Sequence, residues 1–131
     1  MASLDTNVLV RFLIRDDESQ FEQARQLIEH QIHGRQPLYI PITVALELDW
    51  VLRARYKLDK KAVTDIYTRL LRTMELNFES ESALEIALHH YKARNVDFAD
   101  CLHAALAGVA GQAPFYTFDR KATRIPGTAS L

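Results

Sequence analysis

Five carboxylates in this chain stand where a charge needs a physical reason. Asp5 sits in "SLDTNVLVRFL" (3–13), between a short apolar start and a hydrophobic run. Glu47 lies in "ITVALELDWVL" (42–52), where eight of eleven residues are apolar, and its helical neighbours are Val44, Trp50 and Val51. Asp97 and Asp100 are three apart in "NVDFADCLHAALAGVAG" (95–111), and Asp119 closes "FYTFD" (115–119). Carboxylates brought together bind hard cations such as Mg²⁺ or Mn²⁺ through oxygen. A cation so held activates water and steadies charge on a phosphoryl oxygen.

Each acid also has a plainer reading. Asp5 is a good helix N-cap, and so are Asp97 and Asp119. Glu47 is costly to bury without a cation or a cationic partner, but a helix edge would let it reach water. Asp49 lies about 200° round the helix from Glu47, at roughly 100° per residue, and is expected in solvent. Of the pair near residue 100, Asp97 is read as the cap and Asp100 as the site residue, because Asp100 shares its side with His103, Ala104 and Ala107. Small neighbours let a ligand or another backbone come close. Thr117, two residues before Asp119, is expected on the same face of a strand, where its hydroxyl can orient a carboxylate or a water.

The elements that must position these acids are legible as alternating strands and helices. Residues 2–5 read as a short strand, with a helix from about Thr6. Helical spacing of Phe21, Ala24, Ile28 and Ile32 predicts a helix over 19–33, stopped by "HGRQP". "PLYIP" (37–41) reads as a strand, 42–56 and 59–73 as helices, "MELNF" (74–78) as a strand, and 80–94 and 97–110 as helices. "PFYTFD" (114–119) and the terminal "TASL" complete the strands. This alternation predicts an α/β fold with a central parallel sheet of about four or five strands flanked by helices. In open parallel sheets ligands sit beyond the carboxyl ends of the strands, where strand order reverses. Asp5 and Asp119 both follow predicted strands and are therefore expected to converge.

Composition narrows the classes. A length of 131 residues, 48% hydrophobic and 25% charged, fits one globular domain over 1–131. No apolar stretch approaches a membrane span, and no basic leader with an apolar core is visible, so a cytoplasmic protein is expected. The single cysteine, Cys101, suits a reducing compartment and is expected in the core. The net charge of −1 excludes a general nucleic-acid coat but leaves room for a local basic patch. Arg11, Arg15, Arg53, Arg55, Lys57, Arg120, Lys121 and Arg124 are its candidates. The histidines His30, His33, His89 and His90 are expected in solvent.

Taken together, "LDTNVLVRFLIRDD", "ITVALELDWVL", "VDFADCLHAALA", "FYTFDRKA" and "IPG", in this order and spacing, resemble the PIN domain family, most closely its VapC-type toxin branch. The resemblance covers almost the whole chain. It implies a Mg²⁺- or Mn²⁺-dependent ribonuclease with Asp5, Glu47, Asp100 and Asp119 as its catalytic and metal-binding acids. Asn7 and Thr117 would orient them, and Asp97 would support. It also implies an RNA substrate, a small antitoxin protein as partner, and a homodimer. A non-catalytic scaffold of the same fold that binds RNA or antitoxin is the alternative. A haloacid-dehalogenase-like phosphatase also begins with a strand ending in Asp, but it needs a second acid two residues on, and position 7 is Asn.

Overall fold

The computed structural model describes residues 2–131. Among them are six α-helices and five strands: β1 (Ala2–Ser3), α1 (Thr6–Leu13), α2 (Glu18–His33), β2 (Leu38–Ile40), α3 (Ile42–Ala54), α4 (Lys60–Leu71), β3 (Leu76–Phe78), α5 (Glu81–Ala93), α6 (Phe98–Val109), β4 (Phe115–Thr117) and β5 (Thr128–Ser130). A 3₁₀ turn, Ala122–Arg124, lies between the last two strands. The alternation expected from the sequence is present throughout. No helix among the described residues is long and apolar enough to cross a membrane.

Every strand pairing is parallel, but the strands do not form one ladder. β1, β2 and β3 make a three-stranded sheet in that order, and β4 and β5 make a two-stranded sheet. This replaces the expected central sheet of four or five strands. Neither sheet shows a reversal of strand order. Apolar runs bounded by turn residues reveal that strands exist, whereas their partition depends on long-range pairing that local pattern does not encode.

The chain divides into two compact units. The first comprises the residues through Leu58 together with Asp65–Glu79. Its register sets Leu38 opposite Ala2 and Leu76, and Ile40 opposite Phe78. Leu38 and Ile40 alternate with exposed Tyr39 and are fully buried, as are Leu9, Leu48 and Leu52 from the helices. Two polar contacts tie the elements of this unit. Tyr67 of α4, itself buried, donates its hydroxyl to the Ala45 carbonyl in α3. Pro41 caps α3 without a side-chain acceptor, and the Glu79 carboxylate after β3 accepts from the Ile42 N–H instead, at 2.8 Å. That bond satisfies one of the donors a helix N-terminus leaves open.

The second unit comprises Asp59–Thr64 and Ser80–Leu131. α5 and α6 pack on each other through Leu84, Ala87, Leu88, Phe98, Cys101 and Leu102, and the Tyr91 and Phe98 rings meet edge to face at 5.5 Å. Lys60 holds the end of α5, its ammonium donating to the carbonyls of Tyr91 at 2.9 Å and Arg94 at 2.7 Å. A cation there answers the carbonyls that a helix C-terminus leaves unpaired. Gly127 turns the chain into β5 with φ +86°, a conformation that L side chains rarely adopt, and its carbonyl accepts from the Phe115 N–H.

Candidate metal centre

The acids of the second unit meet. Asp97, Asp100 and Asp119 each offer a carboxylate oxygen, and these oxygens all lie within 4.8 Å of one another. Local structure brings them there. Asp97 is the N-cap residue of α6 and Asp100 sits in the first turn of the same helix. Asp119 follows β4 by two residues. Its N–H donates to the Thr117 hydroxyl at 3.0 Å, and its own carboxylate accepts from the Lys121 N–H at 2.9 Å. Thr117 thus fixes the turn that carries Asp119, through the backbone rather than through the carboxylate.

Asp97 departs from its expected role. It occupies the cap position, yet its side chain makes no capping hydrogen bond. The carboxylate stays 63% exposed, stands 3.8 Å from the Lys121 ammonium and joins the cluster. Read from its residues alone Asp97 is a cap, and the family resemblance gives it a supporting role; the structure places its carboxylate in the cluster itself. Its spacing, three residues before Asp100 and hence on the same helix side, is the local signal for that place.

Electrostatics single out Asp100, which is half-buried. Desolvation raises its carboxyl above the ordinary aspartate value, and the charges of Asp97 and Asp119 raise it further, against the opposing pull of His103 and Lys121. His103 packs on Phe115 with ring centroids 5.7 Å apart. Beside Asp100, burial pushes the Cys101 thiol up to about 11, in keeping with a packing role. His90 is half-buried, not free in solvent as expected: its Nδ1 lies 2.9 Å from the Arg94 guanidinium, and burial lowers its pKa.

The remaining predicted residues belong to the first unit. Asp5 follows β1, is exposed, and accepts from the Thr6 N–H at 2.7 Å as the N-cap of α1. Asn7 is exposed and lines a cavity of about 300 Å³ with Val8, Arg11, Gln20, Gln23, Ala24 and Leu27. Glu47 is exposed on α3, and so is Trp50 at 63%. Apolar neighbours therefore do not bury Glu47. Asp49 corrects the sequence reading outright. Only 3% exposed, it is gripped by the Arg53 guanidinium, with Nε 3.1 Å from both oxygens and Nη2 2.8 Å from Oδ2. The 200° separation from Glu47 is real, but the face of Glu47 is the solvent face, so Asp49 falls on the buried one. Arg11 and Arg15, offered as surface cations, are engaged by Asp16 and Glu18 at 2.9 Å.

The three-acid cluster fits a small hard cation. Oxygens on opposite sides of an octahedral Mg²⁺ stand about 4.2 Å apart, and adjacent ones about 3 Å, for bonds of ~2.1 Å. Carboxylate oxygens within 4.8 Å of one another reach that range by side-chain rotations that move them by about 1–2 Å. The donors are all oxygen, with no thiolate or imidazole among them, which favours Mg²⁺ or Mn²⁺ over Zn²⁺.

Comparison with known proteins identifies the family of the chain. The family profile of the PIN domain matches residues 2–127. A curated VapC ribonuclease from Aquifex aeolicus (strain VF5) is 28% identical over 121 residues, which cover 92% of this chain and 89% of that protein.

Proposed function

Because the chain belongs to the PIN domain family, we propose that it is a Mg²⁺- or Mn²⁺-dependent ribonuclease and the toxin of a toxin–antitoxin pair. The observation that carries this reading is the meeting of Asp97, Asp100 and Asp119. The similarity to a VapC ribonuclease over nine-tenths of the chain supports it. A bound divalent cation would lower the pKa of the attacking water and neutralise charge on the scissile phosphate.

The chain's own residues divide the work. Asp100 and Asp119 hold the cation, and Asp97 supports them from the more exposed side. Thr117 keeps the Asp119 turn in place. Lys121, whose ammonium already faces Asp97, and exposed Arg120 attract the RNA phosphates. Asp5 and Glu47 are assigned to turnover by the family pattern, with Asn7 orienting Asp5. The whole of 1–131 is one PIN-like domain in this reading, acting in the cytoplasm as a homodimer and held inactive by an antitoxin protein.

The test is cleavage of single-stranded RNA by purified protein, beside Asp100→Asn prepared identically. Wild type should cut with millimolar Mn²⁺ and stop with EDTA, and the variant should be inert. Equal cleavage by both preparations would trace the activity to a contaminant. RNA binding without any cleavage would favour the scaffold reading.

A further inference from the structure

Two aromatic side chains of the second unit are exposed where a folded chain ordinarily covers them. Phe118 is 81% exposed and Tyr116 is 61% exposed. Phe118 directly precedes Asp119 of the acid cluster. Tyr116 lies within β4 and Phe118 just past its end. The following residues are basic: Arg120 and Arg124 are exposed, and Lys121 is partly so. Aromatic rings interleaved with cations are the chemistry that single-stranded nucleic acid recruits, bases stacking on rings while phosphates meet the cations. A duplex keeps its bases stacked on one another and offers no free face to such rings.

We propose that Phe118 and Tyr116, exposed on the segment that leads into Asp119 and Arg120, are a stacking platform on which unpaired bases of the RNA substrate are held. This rests on the ribonuclease reading but makes a separate claim, because stacking affects how RNA is held and not whether the acids support hydrolysis. Phe118 and Tyr116 act as positioning residues. With a divalent cation offsetting the acids, Arg120, Lys121 and Arg124 favour a polyanion over a second copy of the chain as the occupant. Nearly complete exposure of Phe118 means that truncation leaves the fold intact.

The test compares wild type, Phe118→Ala, Tyr116→Ala and Phe118→Trp, using a fluorescent single-stranded ten-nucleotide RNA and the same strand in a duplex. Binding is measured with Ca²⁺, cleavage kinetics with Mn²⁺, and oligomeric state by sedimentation. Stacking predicts that Phe118→Ala weakens single-strand binding about 5- to 100-fold. KM should rise in parallel with a smaller change in kcat, duplex binding should stay unmoved, and Phe118→Trp should bind at least as well as wild type. Cleavage by wild type with single-strand binding unchanged in both alanine variants would overturn the platform and leave the ribonuclease reading standing. Binding that depends on Phe118 in a protein that never cleaves would support the platform and overturn the ribonuclease reading. A change of oligomeric state in Phe118→Ala, with RNA binding untouched, would make the patch an interface between copies and refute the proposal.

Discussion

Replacing Asp100 by Asn should stabilise the metal-free protein. Its carboxylate faces two others whose oxygens lie within 4.8 Å. At that distance each like-charge pair costs about 0.9 kcal/mol in water and about 3.5 kcal/mol at an effective dielectric of ~20. Asp97 and Asp119 are exposed, so the aqueous figure is the closer one, and two pairs together cost about 2 kcal/mol. Losing the attraction of Lys121 and His103 for Asp100 returns part of this, leaving about 1 kcal/mol, or roughly 3–5 °C in Tm for a domain of this size. The pH dependence has a defined sign. Because the Asp100 pKa is raised in the folded protein, folding favours its protonated form. The penalty is therefore full above the folded pKa and disappears as pH falls through that value to the ordinary aspartate range. The advantage of Asp100→Asn should then be largest near neutral pH, shrink toward pH ~4 and shrink with added salt. Thermal melts in EDTA across pH, with and without Mn²⁺, provide the assay. At a hundredfold excess over Kd, Mn²⁺ should stabilise wild type by about 2.7 kcal/mol and reverse the order of the two proteins. A variant that melts below wild type in EDTA, with Mn²⁺ moving neither, would mean that these acids are ordinary caps and surface charges.

Four other substitutions bear on the account. Glu47→Gln should leave Tm within about 1 °C, since the side chain is exposed, and abolish RNA cleavage; undiminished cleavage removes Glu47 from the site. Arg53→Met leaves the Asp49 carboxylate buried without its guanidinium; it should cost about 1–3 kcal/mol in a urea melt, with cleavage per folded molecule unchanged. Lys60→Met removes two charge-assisted bonds from the end of α5 and should cost about 1–3 kcal/mol by the same melt, again without touching kcat. Asp5→Asn keeps an oxygen for the Thr6 N–H and so should preserve the α1 cap and stability while eliminating turnover; a matched loss of stability would make Asp5 a cap alone.

Local pattern was enough to locate nearly every element. The Phe21–Ala24–Ile28 spacing and the stop at "HGRQP" predict a helix over 19–33, and α2 runs Glu18–His33; "PLYIP" contains β2. What local pattern does not carry is which side of a helix meets the core. Trp50 and Asp49 are adjacent in the sequence, yet the tryptophan is exposed and the aspartate buried. Residue type alone puts Asp49 in solvent; the i,i+4 spacing to Arg53 that makes its burial tolerable is local, but the face that α3 turns to the core is set by packing. Asp97 shows a second limit. A cap explains an acid at a helix start locally, and its supporting role came from the family resemblance; the approach of Asp119 from another element is what sets its carboxylate in the cluster. Asp100 was legible because it sits among small residues on the side of α6 away from Phe98 and Leu102.

If Asp97, Asp100 and Asp119 hold the cation on which RNA hydrolysis depends, that ion is bound at their carboxylates. Crystals soaked in Mn²⁺ and measured at the manganese edge locate that ion directly. An anomalous peak is expected at carboxylate oxygens of Asp100 and Asp119, at about 2.1–2.4 Å, and should disappear in Asp100→Asn. Mn²⁺-dependent cleavage by a protein whose crystals show no peak at this cluster would contradict that placement.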